Sequence, residues 1–422
     1  MSVILAKAKP RHGLIAALDV GSTKVCCFIA RAEDDGGLRV LGIGHQLSRG
    51  MKGGSVVDME DAETAIRAAV DAAEQMAEER IRAVILTAAG GQPSSTNLSI
   101  ELALNGHEIG DADIRRMLEH ARYHAPNHGL ELVHSIAVGF TVDGNDGIRD
   151  PRGMWGDNLA VTLHQVAAAP GPLRNLATVV HRCHLDIENR VASAYAAALA
   201  CLVEDEKELG VTSIDMGGGT TSIAVFQGGH LVFTDSVPIG GIHVTNDIAR
   251  GLSTPLSSAE RIKTLYGSVL ISASDDREVL KVPLVGEDED GATNQVPRSM
   301  LVQIVQPRLE ETFEMVRSRL EAAGFDKVGG RRVVLTGGAA QLQGVRDLAA
   351  LVLDKQVRHG RPFGFQGLPE ATSGPAFAAC AGLLRYGLTH HAAESQARAA
   401  RRAEAAGDSN LARVGAWLRK NF

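Results

Sequence analysis

The fold is decided by one stretch of sequence, Ile214-Asp-Met-Gly-Gly-Gly-Thr-Thr221, in which an apolar run ends in a carboxylate followed by three consecutive glycines. The residues before the glycines and the run 222–226 after them both have strand composition, so we predict a hairpin. Glycine permits backbone conformations closed to other residues and lets phosphate oxygens reach bare N–H groups. The stretch therefore predicts a phosphate-binding turn, with an ordinary glycine-rich hairpin as the alternative.

The same pattern occurs near the N-terminus. In Asp19-Val-Gly21-Ser-Thr-Lys24 an apolar strand again ends in Asp-x-Gly and small hydroxyl residues, and a second strand, 25–30, follows. Such an internal repeat suggests two similar half-sites that close on one ligand. Asp215, at its strand end, is placed to hold Mg²⁺ through water, because Mg²⁺ keeps several waters and takes few carboxylates. Taken alone, the first turn also fits a hairpin with an Asp cap.

A third glycine turn, Thr336-Gly-Gly-Ala-Ala340, follows the apolar strand 332–335. A close-packed turn of this kind can contact a flat ring as readily as a phosphate.

Composition limits the class of protein. The chain has 422 residues, enough for two or more domains, and 45% hydrophobic but only 4% aromatic residues, which is typical of a soluble α/β protein. A net charge of −7 argues against a general nucleic-acid binder. The five cysteines show no C-x-x-C spacing, and no apolar run reaches about 18 residues. We expect a cytoplasmic protein without a signal peptide or membrane span.

Between the glycine turns, the sequence predicts covering helices and one insertion. The helix 60–79 is predicted to bury one face, composed of Ala65, Ile66, Ala69, Val70, Ala73 and Met76. Short β-rich segments around a single helix occupy 88–168 and predict an inserted α+β subdomain. Its turn Asp150-Pro-Arg-Gly-Met-Trp-Gly156 taken alone is an ordinary structural turn.

The C-terminal residues 388–422 differ in composition from the rest of the chain. Residues 388–409 are Ala, Arg and Glu without an apolar stripe and predict a flexible linker. Residues 410–422 predict an amphipathic helix that lies in a membrane interface, with a terminal helix docked on its own domain as the alternative. Its membrane-contacting residues are Leu411, Val414, Trp417, Leu418, Arg419, Lys420 and Phe422.

Together these features resemble the actin-like ATPase superfamily. The first and second glycine turns look like its two phosphate motifs, and 336–340 looks like its adenosine motif, while 189–202 and 375–386 are similar to its two connecting helices. The turn 150–156, the inserted subdomain, Ile239-Gly-Gly241 with Asn246 to Ala249, and Ala259-Glu260-x-x-Lys263 resemble, more closely, the FtsA family of bacterial cell-division proteins.

The resemblance implies an α/β, actin-like (ribonuclease H-like) two-lobed fold with an inserted α+β subdomain. The implied subdomains are 1A (13–87, 169–210 and 372–387), the inserted 1C (88–168), 2A (211–241 and 325–371) and 2B (242–324), followed by the linker and the terminal helix.

The resemblance also implies ATP and Mg²⁺ as ligands. Asp19 and Asp215 would face Mg²⁺ through water. The nucleotide-contacting residues it implies are Gly21, Ser22, Thr23, Lys24, Gly217, Gly218, Gly219, Thr220, Glu260, Lys263, Gly337 and Gly338.

The family joins the FtsZ ring to the cytoplasmic face of the inner membrane at the division septum and self-associates into filaments. The implied partners are the FtsZ C-terminal peptide, further copies of the chain, anionic lipids and later divisome proteins bound through subdomain 1C. For the FtsZ peptide, the basic candidates are Arg250, Arg261, Lys263 and Arg308, which also fit an ordinary helix surface.

One departure bears on mechanism. Hydrolytic relatives carry a carboxylate at the start of the first connecting helix, and the position aligned there is the amide Asn189. An amide can position water but cannot accept its proton, which costs roughly 10²–10⁴-fold in rate. We therefore expect slow hydrolysis, unless Glu188, one residue earlier, occupies the position.

Three other members of the superfamily remain as alternatives. A sugar or acid kinase would need a polar substrate pocket between the lobes and no membrane helix. A PilM-type pilus-assembly protein would share the insertion but lack the terminal helix. An MreB-type cell-shape protein would lack the insertion.

Overall fold

The computed structural model describes residues 13–33, 35–123, 129–287 and 293–389. The amphipathic helix predicted at 410–422, and all but the first two residues of the linker predicted at 388–409, lie outside the described residues. In the part of the chain that is described, no helix is both long and apolar enough to cross a membrane.

The first lobe opens with an antiparallel meander, followed by a helix and a parallel strand. Its elements to residue 88 are β1 (Gly13–Val20), β2 (Lys24–Ala32), β3 (Leu38–Leu47), β4 (Met51–Lys52), β5 (Ser55–Val56), α1 (Met59–Ala77) and β6 (Ala83–Ala88). The Asp58 carboxylate accepts the N–H groups of Glu60 and Asp61 at 3.0 Å each. It thereby caps α1, whose first N–H groups have no partner within the helix.

The face predicted for α1 is buried with one exception. Met76 is 52% exposed, whereas the other five predicted residues are buried. The reason lies in β3, where an added Cβ at Gly44 would come 1.8 Å from the Ala69 carbonyl oxygen and one at Gly42 2.0 Å from that of Ala73. The same added Cβ at Gly42 would lie 2.8 Å from Ala77 Cβ, so the stripe of α1 nearest the sheet runs through Ala69, Ala73 and Ala77, and Met76 lies beside it.

The insertion is a separate α+β unit. It contains β7 (Ser94–Glu108), α2 (Asp111–Tyr123), β8 (Glu131–Val142), β9 (Asn145–Ile148) and β10 (Trp155–Ala168). The strands form an antiparallel sheet in the order β7-β10-β8-β9. Its own core includes Met117, Phe140 and Leu159. We call this unit, Ser94 to Ala168, the inserted subdomain.

The chain then completes the first lobe and forms the second. The first lobe adds α3 (Pro170–Arg182) and β11 (Asp186–Ala192), and the connection to the second consists of α4 (Ser193–Cys201) and α5 (Glu204–Leu209). The second lobe contains β12 (Val211–Met216), β13 (Thr221–Gln227), β14 (His230–Val237), α6 (Gly241–Gly251), α7 (Leu256–Tyr266), β15 (Val279–Pro283), β16 (Thr293–Pro297), α8 (Arg298–Ala322), α9 (Phe325–Val328), β17 (Arg332–Thr336), α10 (Val345–Leu353) and β18 (Gln356–His359).

The chain ends its described part in the first lobe. Strand β19 (Phe365–Gln366) pairs with β3, and helix α11 spans 378–389. Residues 388 and 389, the first two of the predicted linker, belong to this helix, and Leu388 packs against the core between the lobes.

The two main sheets repeat one topology. The first runs β11-β6-β1-β2-β3-β19 and the second β14-β13-β12-β17-β18. In each, an antiparallel meander is followed by two parallel strands: β6 pairs with β1 and β11 with β6, as β17 pairs with β12 and β18 with β17. The predicted internal repeat and two-lobed α/β fold with an inserted subdomain are confirmed.

Two helices lie between the sheets. The largest hydrophobic cluster combines α4 and α11 with residues of β1 and β2 on one side and of β12, β13 and β17 on the other. Because both lobes pack on the same helix pair, its geometry sets how the two glycine turns face each other.

Candidate functional site

The two Asp-x-Gly turns have the same local geometry. The Gly21 N–H donates to the Lys24 carbonyl oxygen at 2.9 Å, and the Gly217 N–H donates to that of Thr220, also at 2.9 Å. Each turn connects two antiparallel strands, β1 to β2 in the first lobe and β12 to β13 in the second. In each lobe one residue separates the aspartate, Asp19 or Asp215, from the first glycine of the turn. The repeat seen in the sequence is therefore a repeat of backbone conformation.

The turns approach each other closely. A Cβ added at Gly218 would lie 2.4 Å from Thr23 Cγ2, and one at Gly219 would lie 2.4 Å from Ser22 Oγ. The Ser22 hydroxyl also accepts the Gly54 N–H at 2.9 Å, which holds the first turn in place. Glycine is needed at 218 and 219 because a side chain at either position would push the two lobes apart.

Both turns open on one cleft of about 570 Å³ between the lobes. Every residue implied to contact the nucleotide or metal lines it, namely Asp19, Gly21, Ser22, Thr23, Lys24, Asp215, Gly217, Gly218, Gly219, Thr220, Glu260, Lys263, Gly337 and Gly338. The structure thus brings together positions more than 300 residues apart in the chain.

Two half-buried carboxylates, Asp19 and Asp215, line the cleft. The pKa of Asp215 is raised to about 7, chiefly by burial and also by the neighbouring Asp19, while Lys24 acts in the opposite direction. Burial also raises the pKa of Asp19, which Lys24 and a 2.8 Å hydrogen bond from the Thr87 hydroxyl oppose. Both carboxyl groups are thus hindered from ionising, and a cation bound between them would favour their charged forms.

Lys24 supplies positive charge to the same region. Its ammonium donates to the Ala376 carbonyl oxygen and lies 3.8 Å from the centroid of the Phe377 ring. Both contacts come from the turn that begins the last helix, so this lysine links the first glycine turn to the start of α11.

At the other end of the cleft, a polar network surrounds Lys263. Its ammonium donates to Glu260 at 2.7 Å, to the Thr245 hydroxyl at 2.8 Å and to the Gly241 carbonyl oxygen at 3.1 Å. The Gly241 N–H in turn donates to the Gly217 carbonyl oxygen at 3.0 Å. The network connects α7 to the second glycine turn.

The third glycine turn borders the same end. Gly337 has φ +88°, and an added Cβ would lie 2.4 Å from the Met216 carbonyl oxygen. Apolar and amide side chains that the sequence analysis missed complete this wall, among them Leu265, Gln341 and Leu342. No motif marks these residues: Leu265 comes from α7, whereas Gln341 and Leu342 follow β17, which pairs with β12.

Asn189 does not reach the cleft. It lies within β11, paired with Ile85 of β6, and lines a separate cavity of about 310 Å³ beside the inserted subdomain. The alignment placed it at the start of a helix, but β11 continues to Ala192. Three strand residues lie between Asn189 and the first residue of the helix, a distance of about 13 Å along the strand.

The residue at that start is Ser193. It is the first residue of α4, lines the cleft, and donates its hydroxyl hydrogen to Ser222 Oγ of the second lobe at 3.5 Å. A serine directly before the Ala-rich run 194–198 is a helix-start signal that would have identified it.

Comparisons with known proteins identify the family. A family model described as "Cell division protein FtsA" matches residues 212–382, and one described as "SHS2 domain inserted in FTSA" matches residues 90–167. The cell division protein FtsA of Rhizobium meliloti (strain 1021) is 42% identical over 432 residues, covering 99% of this chain and 98% of the relative. The chain belongs to the FtsA family. Its members are cell-division proteins, so the predicted family is confirmed and the kinase, PilM-type and MreB-type alternatives are set aside.

Solved structures support the FtsA fold at lower identity. The "PilM-PilN type IV pilus biogenesis complex" is similar with a TM-score of 0.62 and 16% identity, covering 89% of this chain and 98% of that one. MreB5 of Spiroplasma citri bound to ADP has a TM-score of 0.53 and 13% identity, covering 91% and 98%. Both likenesses show that the FtsA chain has the actin-like fold.

Proposed function

We propose that this FtsA-family chain binds Mg·ATP in the cleft and uses it to control a membrane-attached cell-division filament. The observation that carries the proposal is the pair of equivalent glycine turns that face each other across one cleft, each preceded by a half-buried aspartate. The MreB5 relative, which has the same fold, is bound to ADP. The backbone N–H groups of both turns suit phosphate oxygens.

The residues present fit a magnesium ion. Asp19 and Asp215 supply oxygen atoms, which Mg²⁺ prefers, and the pKa of each is raised despite the nearby Lys24, so a further cation would favour their charged forms. When bound, Mg²⁺ would offset phosphate charge. Lys24 would add a second positive charge, while Glu260 and Lys263 would contact the ribose side and Gly337 and Gly338 the base.

We expect hydrolysis to be slow, because we assign to Ser193, the first residue of α4, the position at which hydrolytic relatives carry a carboxylate. A hydroxyl can position water but is a poor proton acceptor at neutral pH, and missing general-base help costs about 10²–10⁴-fold. Steady-state phosphate release should stay below about 1 s⁻¹, and Ser193→Asp should raise it at least about tenfold. Asn189→Ala is the control, because Asn189 lies outside the cleft. A large loss in that control, or fast turnover in the unmutated protein, would contradict this assignment.

We further propose that residues 410–422 attach the protein to the cytoplasmic face of the inner membrane. The support is the sequence pattern, with Leu411, Val414, Leu418 and Phe422 on one helical face, bordered by Trp417, and with Arg419 and Lys420 nearby. Each basic residue adds about 1 kcal/mol on an anionic leaflet. A single helix should therefore bind weakly, and many copies in a filament should bind strongly.

Liposome sedimentation tests the attachment. The full chain should pellet with anionic vesicles and more completely with Mg·ATP, because ATP-dependent filaments present many helices together. A chain that ends after Gly407 should remain in the supernatant in both conditions. Equal pelleting of the two chains would reject the anchor.

For the FtsZ C-terminal peptide we propose the α6–α8 surface, with Arg250 and Arg261 as its basic groups, both of which are exposed. Two of the four basic residues considered for the peptide are left out. Lys263 lies in the cleft, and Arg308 already donates to the Asp247 carboxylate at 2.5 and 3.2 Å. Fluorescence anisotropy with a labelled peptide should show weaker binding for Arg261→Glu than for Arg346→Glu, a control on α10. Equal affinities would move the site elsewhere.

Other parts of the proposal follow from family membership. We infer that the chain assembles into actin-like filaments at the division septum and that later divisome proteins bind the inserted subdomain. ATP-dependent light scattering would detect the filaments.

A further inference from the structure

His134 connects the inserted subdomain to the lobes. It lies on β8 and is 6% exposed. Its Nε2 accepts the backbone N–H of Ala192 at 3.0 Å. This nitrogen must therefore carry no hydrogen, which fixes the ring as neutral with its hydrogen on Nδ1.

The hydrogen bond satisfies the backbone N–H of Ala192, at the start of α4, for which this segment has no side-chain acceptor of its own. Ala192 is the residue before α4, and no side chain within this segment caps the helix start. A capping box would need Glu or Gln three residues later, where the sequence has Tyr195. On its other side Ala192 pairs with Ala88 of β6, and β11 is the edge strand of its sheet. The outer side of Ala192 is thus covered by the inserted subdomain.

The same histidine contacts both helices that join the lobes. Its ring lies 5.4 Å, edge to face, from Tyr195 of α4 and 5.9 Å from Tyr386 of α11. The two tyrosines lie 6.1 Å apart, and Tyr195 also lies 6.1 Å from Phe226 of the second lobe. His134 therefore packs against the aromatic cluster formed where the two lobes meet.

The residue after Ala192 is Ser193, which lines the cleft and bonds to Ser222 of the second lobe. One hydrogen bond, from the Ala192 N–H to His134, thus connects the inserted subdomain to the residue that precedes Ser193 on the cleft wall. Removing the acceptor would leave a backbone N–H of this buried helix start without its partner, which is costly and would favour a shift of the segment.

We propose that His134 is a positioning residue of the nucleotide site: from the inserted subdomain, it holds the start of α4 so that Ser193 takes its place on the cleft wall. The proposal rests on the ATP-binding function proposed above. It implies that the inserted subdomain is part of the nucleotide-binding machinery as well as a surface for partners.

ATP titration of the full chain tests the proposal, with isothermal calorimetry as the readout. His134→Ala should weaken ATP binding at least about fivefold, the low end of the effect of a buried N–H left without its acceptor. His134→Gln, whose side-chain oxygen can accept the same N–H, should stay within about twofold of the unmutated protein. Phe140→Leu is the matched control, because Phe140 is a buried residue of the same strand in the subdomain's own core.

The outcomes separate the two claims. If the unmutated chain does not bind ATP, the proposed function and this inference both fail. If it binds and His134→Ala binds equally well, only the inference fails. Equal losses in His134→Ala and Phe140→Leu, or no rescue by His134→Gln, would show that general loosening of the subdomain causes the effect and would also overturn it.

A measurement on the unmutated protein covers the case in which His134→Ala does not fold. Hydrogen–deuterium exchange with and without Mg·ATP should show added protection in 132–136 and 190–195 as well as in the glycine turns. Protection confined to the glycine turns would contradict a link through His134.

Discussion

Replacing Gly382 by alanine should strongly destabilise the protein. Gly382 lies on α11, where it crosses α4, and an added Cβ would lie 1.6 Å from the Ala196 carbonyl oxygen. The clashing atom belongs to the backbone, so no side chain can rotate away, and the helices must separate within a core shared by both lobes. We expect a loss of about 3 kcal/mol or more in the free energy of unfolding.

Urea denaturation followed by circular dichroism measures this loss. The matched control is Gly171→Ala at the start of α3, where an added Cβ has nothing within 4 Å. That control should be neutral or gain about 0.4–1 kcal/mol, because alanine restricts the unfolded chain. Coincident unfolding curves for the two variants would show that the helix crossing tolerates a methyl group.

The glycine turns were predictable because their signals are local. Strand composition, an aspartate and consecutive glycines determine a hairpin within about ten residues, and the repeat of that pattern indicated that Asp19 and Asp215 share one ligand site. The covering helix α1 followed from periodicity, with Met76 as the residue that periodicity alone placed wrongly. For these segments, neighbours in the chain supply most of the information.

Other features depend on contacts between distant segments. The boundary between β11 and α4 could not be read from composition, so the sequence assigned to Asn189 the water-positioning role that we now propose for Ser193. The short helix α4 is almost wholly buried, so it lacks the polar face that would mark its start. Likewise, the acceptor for the Ala192 N–H comes from His134, 58 residues earlier. Such a partner follows only from the packing of the inserted subdomain.

Replacing Asp215 by asparagine should stabilise the ligand-free protein while removing Mg·ATP binding. Burial raises the pKa of Asp215 to about 7, whereas an unfolded chain has an Asp pKa of about 3.9. Between these values the folded state binds more protons than the unfolded state, so the free energy of unfolding falls as pH rises. The contribution of the protonated Asp215 carboxyl to the free energy of unfolding is fully present below about pH 4 and is lost above about pH 7. Asparagine is neutral at every pH and avoids that loss.

Thermal unfolding at two pH values, with and without Mg·ATP, measures both effects. Without ligand at pH 8, Asp215→Asn should unfold at least about 2 °C above the unmutated protein, and the difference should shrink at pH 5, where the carboxyl is already protonated. Mg·ATP should raise the unfolding temperature of the unmutated protein and leave the variant unchanged, because ligand binding to the folded state is what raises it. Asp186→Asn, at an exposed carboxylate, should show neither effect. If the variant unfolds below the unmutated protein at pH 8, Asp215 is already ionised at little cost without metal. If Mg·ATP raises the unfolding temperature of the variant as much as that of the unmutated protein, the ion binds elsewhere.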